Sequence, residues 1–253
     1  MAVGELVGTV GGGPVHRVLA AEVARVRARR SGRSARVLDV GGGSGAWAVS
    51  MARLGCVVTV VDNSPNALAA LQRRAREAGM DDLITAVQGD VDALTDVVPA
   101  GRADLVLGHG LLEVVDDAVA AVAALTSATA AGGAVSVLVA GRHAAVLARA
   151  LGGRLGEARA VLIDPDGRLD PGDALRRRLD VASLRELLEA DGTLRIEVLQ
   201  GDGVLDGWVP GAVRDGGPAA ARAVAELEEL AVQAPALRDV ATRLHALARR
   251  PAG

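Results

Sequence analysis

The chain contains no phenylalanine, no tyrosine and no lysine. Histidine aside, its only aromatic side chains are Trp47 and Trp208. A core must therefore pack through Val, Leu and Ala, and a hydrophobic content of 50% supplies enough of them for one sizeable domain. Few aromatics also leave few platforms for stacking single-stranded RNA bases. A lone cysteine, Cys56, excludes an internal disulfide and suits a cytoplasmic location. The longest apolar run, near residues 134–140, is far too short to cross a bilayer, so no membrane partner is expected. No basic leader surrounds Glu5, which argues against a secretory signal. All 28 cationic side chains are arginine, set against 31 acidic ones, so the net charge of −3 gives no global attraction to nucleic acid or anionic lipid.

What is present is an alternation of short β-branched runs and helical stripes. Apolar residues at 15, 18, 19, 23 and 26 mark a first helix over 14–31. Strands are expected near 35–40, 57–61, 84–87, 104–107 and 134–139, with helices near 46–54, 65–78, 117–130 and 143–151. Such alternation implies an α/β fold of the Rossmann-like type, a mainly parallel sheet with helices on both faces. Residues 152–180, rich in Gly, Asp, Pro and Arg, read as a long irregular connection or lid-like insertion in a single domain over 1–253. A helix near 181–190, a strand near 194–199 and a helix over 218–232 follow, and Leu244–Ala248 fits strand or helix equally.

The most informative stretch is Val37–Gly45, where an apolar strand runs into Asp39-x-Gly41-x-Gly43-x-Gly45. Glycines let the backbone turn sharply and approach a ligand closely. Their strict alternation, with Gly42 also glycine, differs from the Gly-x-Gly-x-x-Gly spacing of dinucleotide loops, which disfavours a nicotinamide-dependent oxidoreductase. Seventeen residues after Gly45, Asp62 ends the second strand, where a carboxylate accepts ribose hydroxyls in nucleoside-binding folds. Asn63 follows it, and Ser64 and Pro65 cap the next helix. Asp90, Val91 and Asp92 lie beyond the third strand, placed to bond an adenine amino group. In a parallel sheet ligands bind beyond the carboxyl ends of the strands, where Gly41, Asp62, Asp90 and His109 all fall.

His109, at the end of the fourth strand, reads as a ligand contact or general base, with a structural histidine as the competing reading. His143 follows the fifth strand beside Arg142, a pair suited to gripping an anionic substrate, and a neutral hydroxyl or amine acceptor would need His109 or His143 to take its proton. His16 and Arg17, on the first helix, could close over a ligand carboxylate. The sequence has no His-x₃-His or Cys-x₂-Cys spacing, so no metal is expected. Arginines at 25, 27, 29, 30, 33 and 36 and the run Arg176–Arg178 invite a nucleic-acid reading, but with so few aromatics solvated faces are the favoured one.

The acid-x-Gly-x-Gly-x-Gly loop with its downstream carboxylate resembles that of class I S-adenosylmethionine-dependent methyltransferases. Together with His109–Val115 and Leu244–Pro251, it makes the chain similar to one group among them, the bacterial tRNA 5-carboxymethoxyuridine methyltransferases. That resemblance implies a seven-stranded sheet in which Leu244–Ala248 is a terminal antiparallel strand. It implies S-adenosylmethionine contacts at Gly41, Gly42, Asp62, Val91, Asp92 and His109, with S-adenosylhomocysteine as product, and one more contact from the first helix at His16 or Arg17. It also implies methylation of a carboxylate on a modified wobble uridine. On the substrate side the chain departs from the group at Gly201–Gly207, and Trp208 stands where a Tyr is expected. A carboxylate acceptor on a small molecule or modified nucleoside, without a tRNA partner, is therefore the favoured expectation, with a non-catalytic cofactor-binding protein as the rival and a monomer or homodimer as the assembly. A carboxylate is ionised at neutral pH and needs no base to accept a methyl group.

Overall fold

β-branched and leucine-rich segments form the sheet and Ala- and Arg-rich segments the helices that flank it, in a computed structural model that describes residues 12–232 and 234–252. In chain order these are α1 (Pro14–Arg29), β1 (Arg36–Val40), α2 (Ala46–Arg53), β2 (Val57–Asp62), α3 (Pro65–Glu77), β3 (Ile84–Gln88), α4 (Leu94–Val97) and β4 (Ala103–His109). Then come α5 (Ala118–Ala128), β5 (Thr129–Ala140), α6 (Arg142–Leu151), α7 (Leu155–Ile163), α8 (Val181–Glu189), β6 (Arg195–Asp202), α9 (Gly211–Arg214), α10 (Pro218–Ala231), α11 (Pro235–Arg238) and β7 (Arg243–Arg249).

The seven strands form one sheet in the order β3-β2-β1-β4-β5-β7-β6. β7 runs antiparallel to both β5 and β6, and the other pairings are parallel. The ambiguous tail is thus a strand: its alternate residues His245 and Leu247 face one side, Leu244, Ala246 and Ala248 the other. Two cores lie on the two faces. One gathers Val15, Leu19, Val23 and Val26 of α1 with Met51, Leu71, Leu105 and Leu107. The other gathers Leu112, Leu125, Leu184 and Leu188 with Val106 and Val137. Among the described residues no helix is long and apolar enough to cross a membrane.

Two expectations need correction. The fifth strand begins at Thr129 rather than near 134, because Thr129 pairs with Ala103 before a register shift to Leu105↔Ala134. Within 152–180, the stretch Leu155–Ile163 is a helix rather than irregular chain. Ala158 and Val161, three apart on that helix, give it a buried stripe against α6. The rest of the segment is tied down: Arg178 bonds Asp173 at 2.6 and 3.1 Å and Gly167 O at 2.9 Å.

The arginines between 25 and 36 and at 176–178, expected on solvated faces, are mostly bonded inside the molecule. Arg27 bonds Leu54 O, Arg30 and Arg36 share Asp104, and Arg177 bonds the carbonyls of Leu112, Val115 and Asp116. Arg249 of β7 is held between Glu22 of α1, at 2.6 and 2.7 Å, and Glu197 of β6, at 2.6 and 3.0 Å. That cluster staples the first helix to the last two strands.

Candidate functional site

The site begins at the end of β1. Gly41, Gly43 and Gly45 have φ of +68°, +55° and +78°, left-handed values that side-chain-bearing residues avoid. Gly42 is constrained by space instead, since a Cβ there would lie 2.6 Å from Asp39 Oδ2 and 2.8 Å from Val60. Asp62, at the tip of β2, organises the loop from the next strand. Its Oδ2 accepts the Gly43 N–H at 2.9 Å and its Oδ1 accepts the Ser64 N–H at 2.9 Å. Ser64 in turn caps α3 by accepting from Ala67 N, with Pro65 in the first turn. Asn63 donates to Asp90 Oδ2 at 3.2 Å, and Asp90 Oδ1 accepts the Asp92 N–H.

A cavity of about 340 Å³ opens beside this loop. Gly41, Asp62, Asn63, Asp90, Val91 and Asp92 line it on one side, and Gly110, Leu111 and Val114 beyond β4 line the other. Sequence reasoning had placed the first six there. Asp39 lies beneath the loop, 1% exposed, with Oδ2 lacking any partner among the described residues. Burial, and then the charge of Asp62, push its carboxyl up to about 7. A close-fitting glycine loop over an orphaned carboxylate oxygen, with acids at the next two strand ends, suits a cationic nucleoside ligand such as S-adenosylmethionine.

Asp39 makes stability depend on pH in a stated direction. From about pH 4, its unfolded value, to about pH 7, the folded chain keeps a proton on Asp39 that the unfolded chain releases. This group therefore makes folding less favourable as pH rises through that window. Asp39→Asn removes that dependence, so the gain in thermal midpoint over wild type is expected to be larger at pH 8 than at pH 5. Equal differences at both pH values would show that Asp39 is not an ionisable group under strain.

A second cavity of about 330 Å³ opens on the other side of Trp47, two residues past the loop. α1 contributes His16 and Arg17, the end of β6 and the following turn contribute Asp202 and Asp206, α10 contributes Glu228 and Glu229, and β7 contributes Arg243. Arg17 pairs with Glu229 at 3.0 Å and Arg243 with Asp202 at 2.6 Å, while His16 meets Ser50 Oγ at 3.1 Å. Glu228 accepts the Val204 and Leu205 N–H groups at 2.7 and 2.8 Å. Burial raises the carboxyls of both Asp202 and Glu228. Sequence reasoning missed these acids. The only signal was their presence in Gly201–Gly207 and on the 218–232 helix, which nothing local connects to Trp47.

His109, Arg142, His143 and Trp208, also singled out from the sequence, line neither cavity. His109 lies between them, next to Gly110 of the first and edge-to-face against Trp47 of the second, at 4.7 Å and 88°. Its Nε2 meets Ser136 Oγ at 2.8 Å, and burial holds its pKa well below the usual histidine value. Arg142 is engaged by the carbonyls of Val161 and Asp164 and by Asp180 at 3.6 Å. His143 bonds Asp239 O at 3.1 Å. The structure therefore does not bring Arg142 and His143 together as an anion grip, because the first turn of α6 packs under residues 161–180, where Arg142 N bonds Leu179 O. Trp208 buries its indole N–H without a partner among the described residues. No group of three or more His, Cys, Asp or Glu among the described residues could hold a metal ion.

Residues 37–133, from β1 into β5, match the family described as a methyltransferase domain. The match, the sheet order and the glycine loop together define a class I methyltransferase fold. The chain is similar to the ubiquinone biosynthesis O-methyltransferase of Xanthomonas axonopodis pv. citri (strain 306), 33% identical over 142 residues covering 55% of this chain and 57% of that protein. It thus spans little more than half the length of that curated relative. Among solved structures it is similar to an S-adenosylmethionine-dependent methyltransferase from Mesorhizobium loti, with TM-score 0.61 and 22% identity over 94% of this chain and 96% of that one. Magnesium protoporphyrin IX methyltransferase from Synechocystis PCC 6803, solved with S-adenosylhomocysteine bound, gives TM-score 0.57 and 16% identity over 93% of this chain and 83% of that one. At those identities the likeness is one of fold.

Proposed function

We propose that this chain methylates a hydroxyl- or amine-bearing acceptor held in the second cavity, with S-adenosylmethionine held in the first. When bound, the cofactor supplies an electrophilic methyl on a sulfonium, and the protein supplies position and electrostatics. Asp62 would take the ribose hydroxyls, Gly41–Gly45 the methionine end, and Asp90–Asp92 the adenine. His16 and Arg17, expected from the sequence beside the cofactor, lie on the wall of the second cavity and would meet the acceptor instead.

The observation that carries the acceptor class is the charge of the second cavity. Four carboxylates, Asp202, Asp206, Glu228 and Glu229, line it against two arginines, Arg17 and Arg243. Such a wall repels an anionic acceptor and welcomes a hydrogen-bond donor or ammonium. Hydroxyl and amine acceptors must lose a proton, and a carboxylate of raised pKa is a better base than an ordinary one. Asp202 fits that role, and Asp206 stands beside it on the same wall.

The carboxylate acceptor expected from the sequence is the second reading, favoured by the arginines of that wall and by its needing no base. A modified tRNA nucleoside would be its largest form, disfavoured by the net charge of −3 and the internally bonded arginines. Methyl-labelled cofactor, offered with pools of phenols, amines and carboxylic acids, separates these readings. Label in a product that survives mild alkali is expected. Alkali-labile methyl esters would replace the first reading with the second, and cofactor binding without turnover on any pool would leave a binding protein.

A further inference from the structure

The register of the sheet sets His109, Leu138, His245 and Gln200 in one row across β4, β5, β7 and β6. Ser136, two residues before Leu138 on β5, points to the same face. The polar members of this set form a continuous chain. His109 Nε2 lies 2.8 Å from Ser136 Oγ, which lies 2.9 Å from His245 Nε2. His245 Nδ1 lies 3.2 Å from Gln200 Nε2. Ser136 and His245 are fully buried and Gln200 nearly so.

A hydrogen-bond chain of this kind has a direction, and Gln200 sets it. An amide nitrogen only donates, so His245 Nδ1 must accept. Burial keeps this imidazole neutral, its pKa lowered to about 3, so its single proton sits on Nε2 and is donated to Ser136 Oγ. Ser136 has one hydroxyl hydrogen and passes it to His109 Nε2. His109 must then carry its own proton on Nδ1. That nitrogen is the one with no protein partner among the described residues.

We propose that Ser136, His245 and Gln200 are positioning residues that lock His109 as the Nδ1–H tautomer, a fixed hydrogen-bond donor at the boundary of the two cavities. His109 then carries a proton on its unpartnered Nδ1 and has no lone pair on that nitrogen with which to take one. This revises the general-base role expected from the sequence, and it leaves proton acceptance to the carboxylates of the second cavity. The tautomer does not depend on which acceptor is methylated, so its failure would leave the proposed function standing, and the reverse holds as well.

The test is long-range proton–nitrogen correlation NMR on imidazole-labelled protein at neutral pH. Four histidines give four ring systems, assigned by the loss of signals in His109→Gln and His245→Gln. Wild-type His109 is expected to show a protonated Nδ1 and a bare Nε2, and His245 the reverse. Ser136→Ala, which removes one oxygen and breaks the chain, should convert His109 to the Nε2–H form or to a mixture. Gln200→Met, which removes the donor, should loosen the tautomers of both rings. A wild-type His109 protonated on Nε2, or a His109 tautomer unmoved by Ser136→Ala, overturns the proposal. A purely structural role would change the thermal midpoint and leave the tautomer as it was.

Discussion

Arg249→Leu is expected to cost about 3–5 kcal/mol of unfolding free energy at neutral pH, the usual effect of stranding a buried charge. Arg249 is 6% exposed and Glu22 is 4% exposed, and the arginine fork bonds both oxygens of Glu22. Among the described residues the other cation near Glu22, Arg25, reaches it only at 4.0 Å. Removing the guanidinium leaves that carboxylate buried between α1 and the sheet. Glu22→Gln should cost less, because Arg249 keeps Glu197 at 2.6 Å. The loss should shrink in acid. Arg249 holds the Glu197 carboxyl below its usual value, so that part of the stabilisation is present above the unfolded pKa and is lost as pH falls through the folded one. Urea unfolding at neutral and acid pH measures both effects. A loss under about 1 kcal/mol would place this cluster with solvent-screened surface pairs.

The second large effect is on binding. Asp62→Ala is expected to weaken S-adenosylhomocysteine binding by about 1–3 kcal/mol, or about 5- to 150-fold in dissociation constant. Asp62 has two roles. It would meet the ribose, and it already holds the Gly43 and Ser64 amides that shape the loop and start α3. Calorimetric titration gives the affinity, and a thermal midpoint within a few degrees of wild type would show that the sheet survives. The same variant removes the charge that helps raise the Asp39 carboxyl, so its stability should fall less steeply between pH 5 and pH 7 than that of wild type. Unchanged affinity would remove the first cavity as the cofactor site.

Most of the fold was legible because it rests on short-range rules. Ser64 and Pro65 start α3 where capping chemistry places a helix, and the β-branched run before Asp62 is a strand. The first cavity was legible for the same reason: each of its acids follows a strand, and parallel sheets gather strand ends. α7 was missed because glycines and prolines on either side hid a short stripe, Ala158 and Val161, that has meaning only against α6. His143 and Arg142 were expected at the rim because they follow a strand end, but what lies over that end is residues 161–180.

The amino-acid sequence by itself determined the glycine loop, the strand that feeds it and the carboxylate that braces it, since backbone sterics and capping act within a few residues. Only the tertiary structure decided what surrounds them. Trp47, Asp202, Glu228 and Arg243 meet in one cavity, and His109, Ser136, His245 and Gln200 in one hydrogen-bonded row. Those groupings depend on strand register between distant segments, Ser136 and His245 alone lying 109 residues apart. A slip of one residue there would turn every side chain to the other face, so no local pattern could have revealed them.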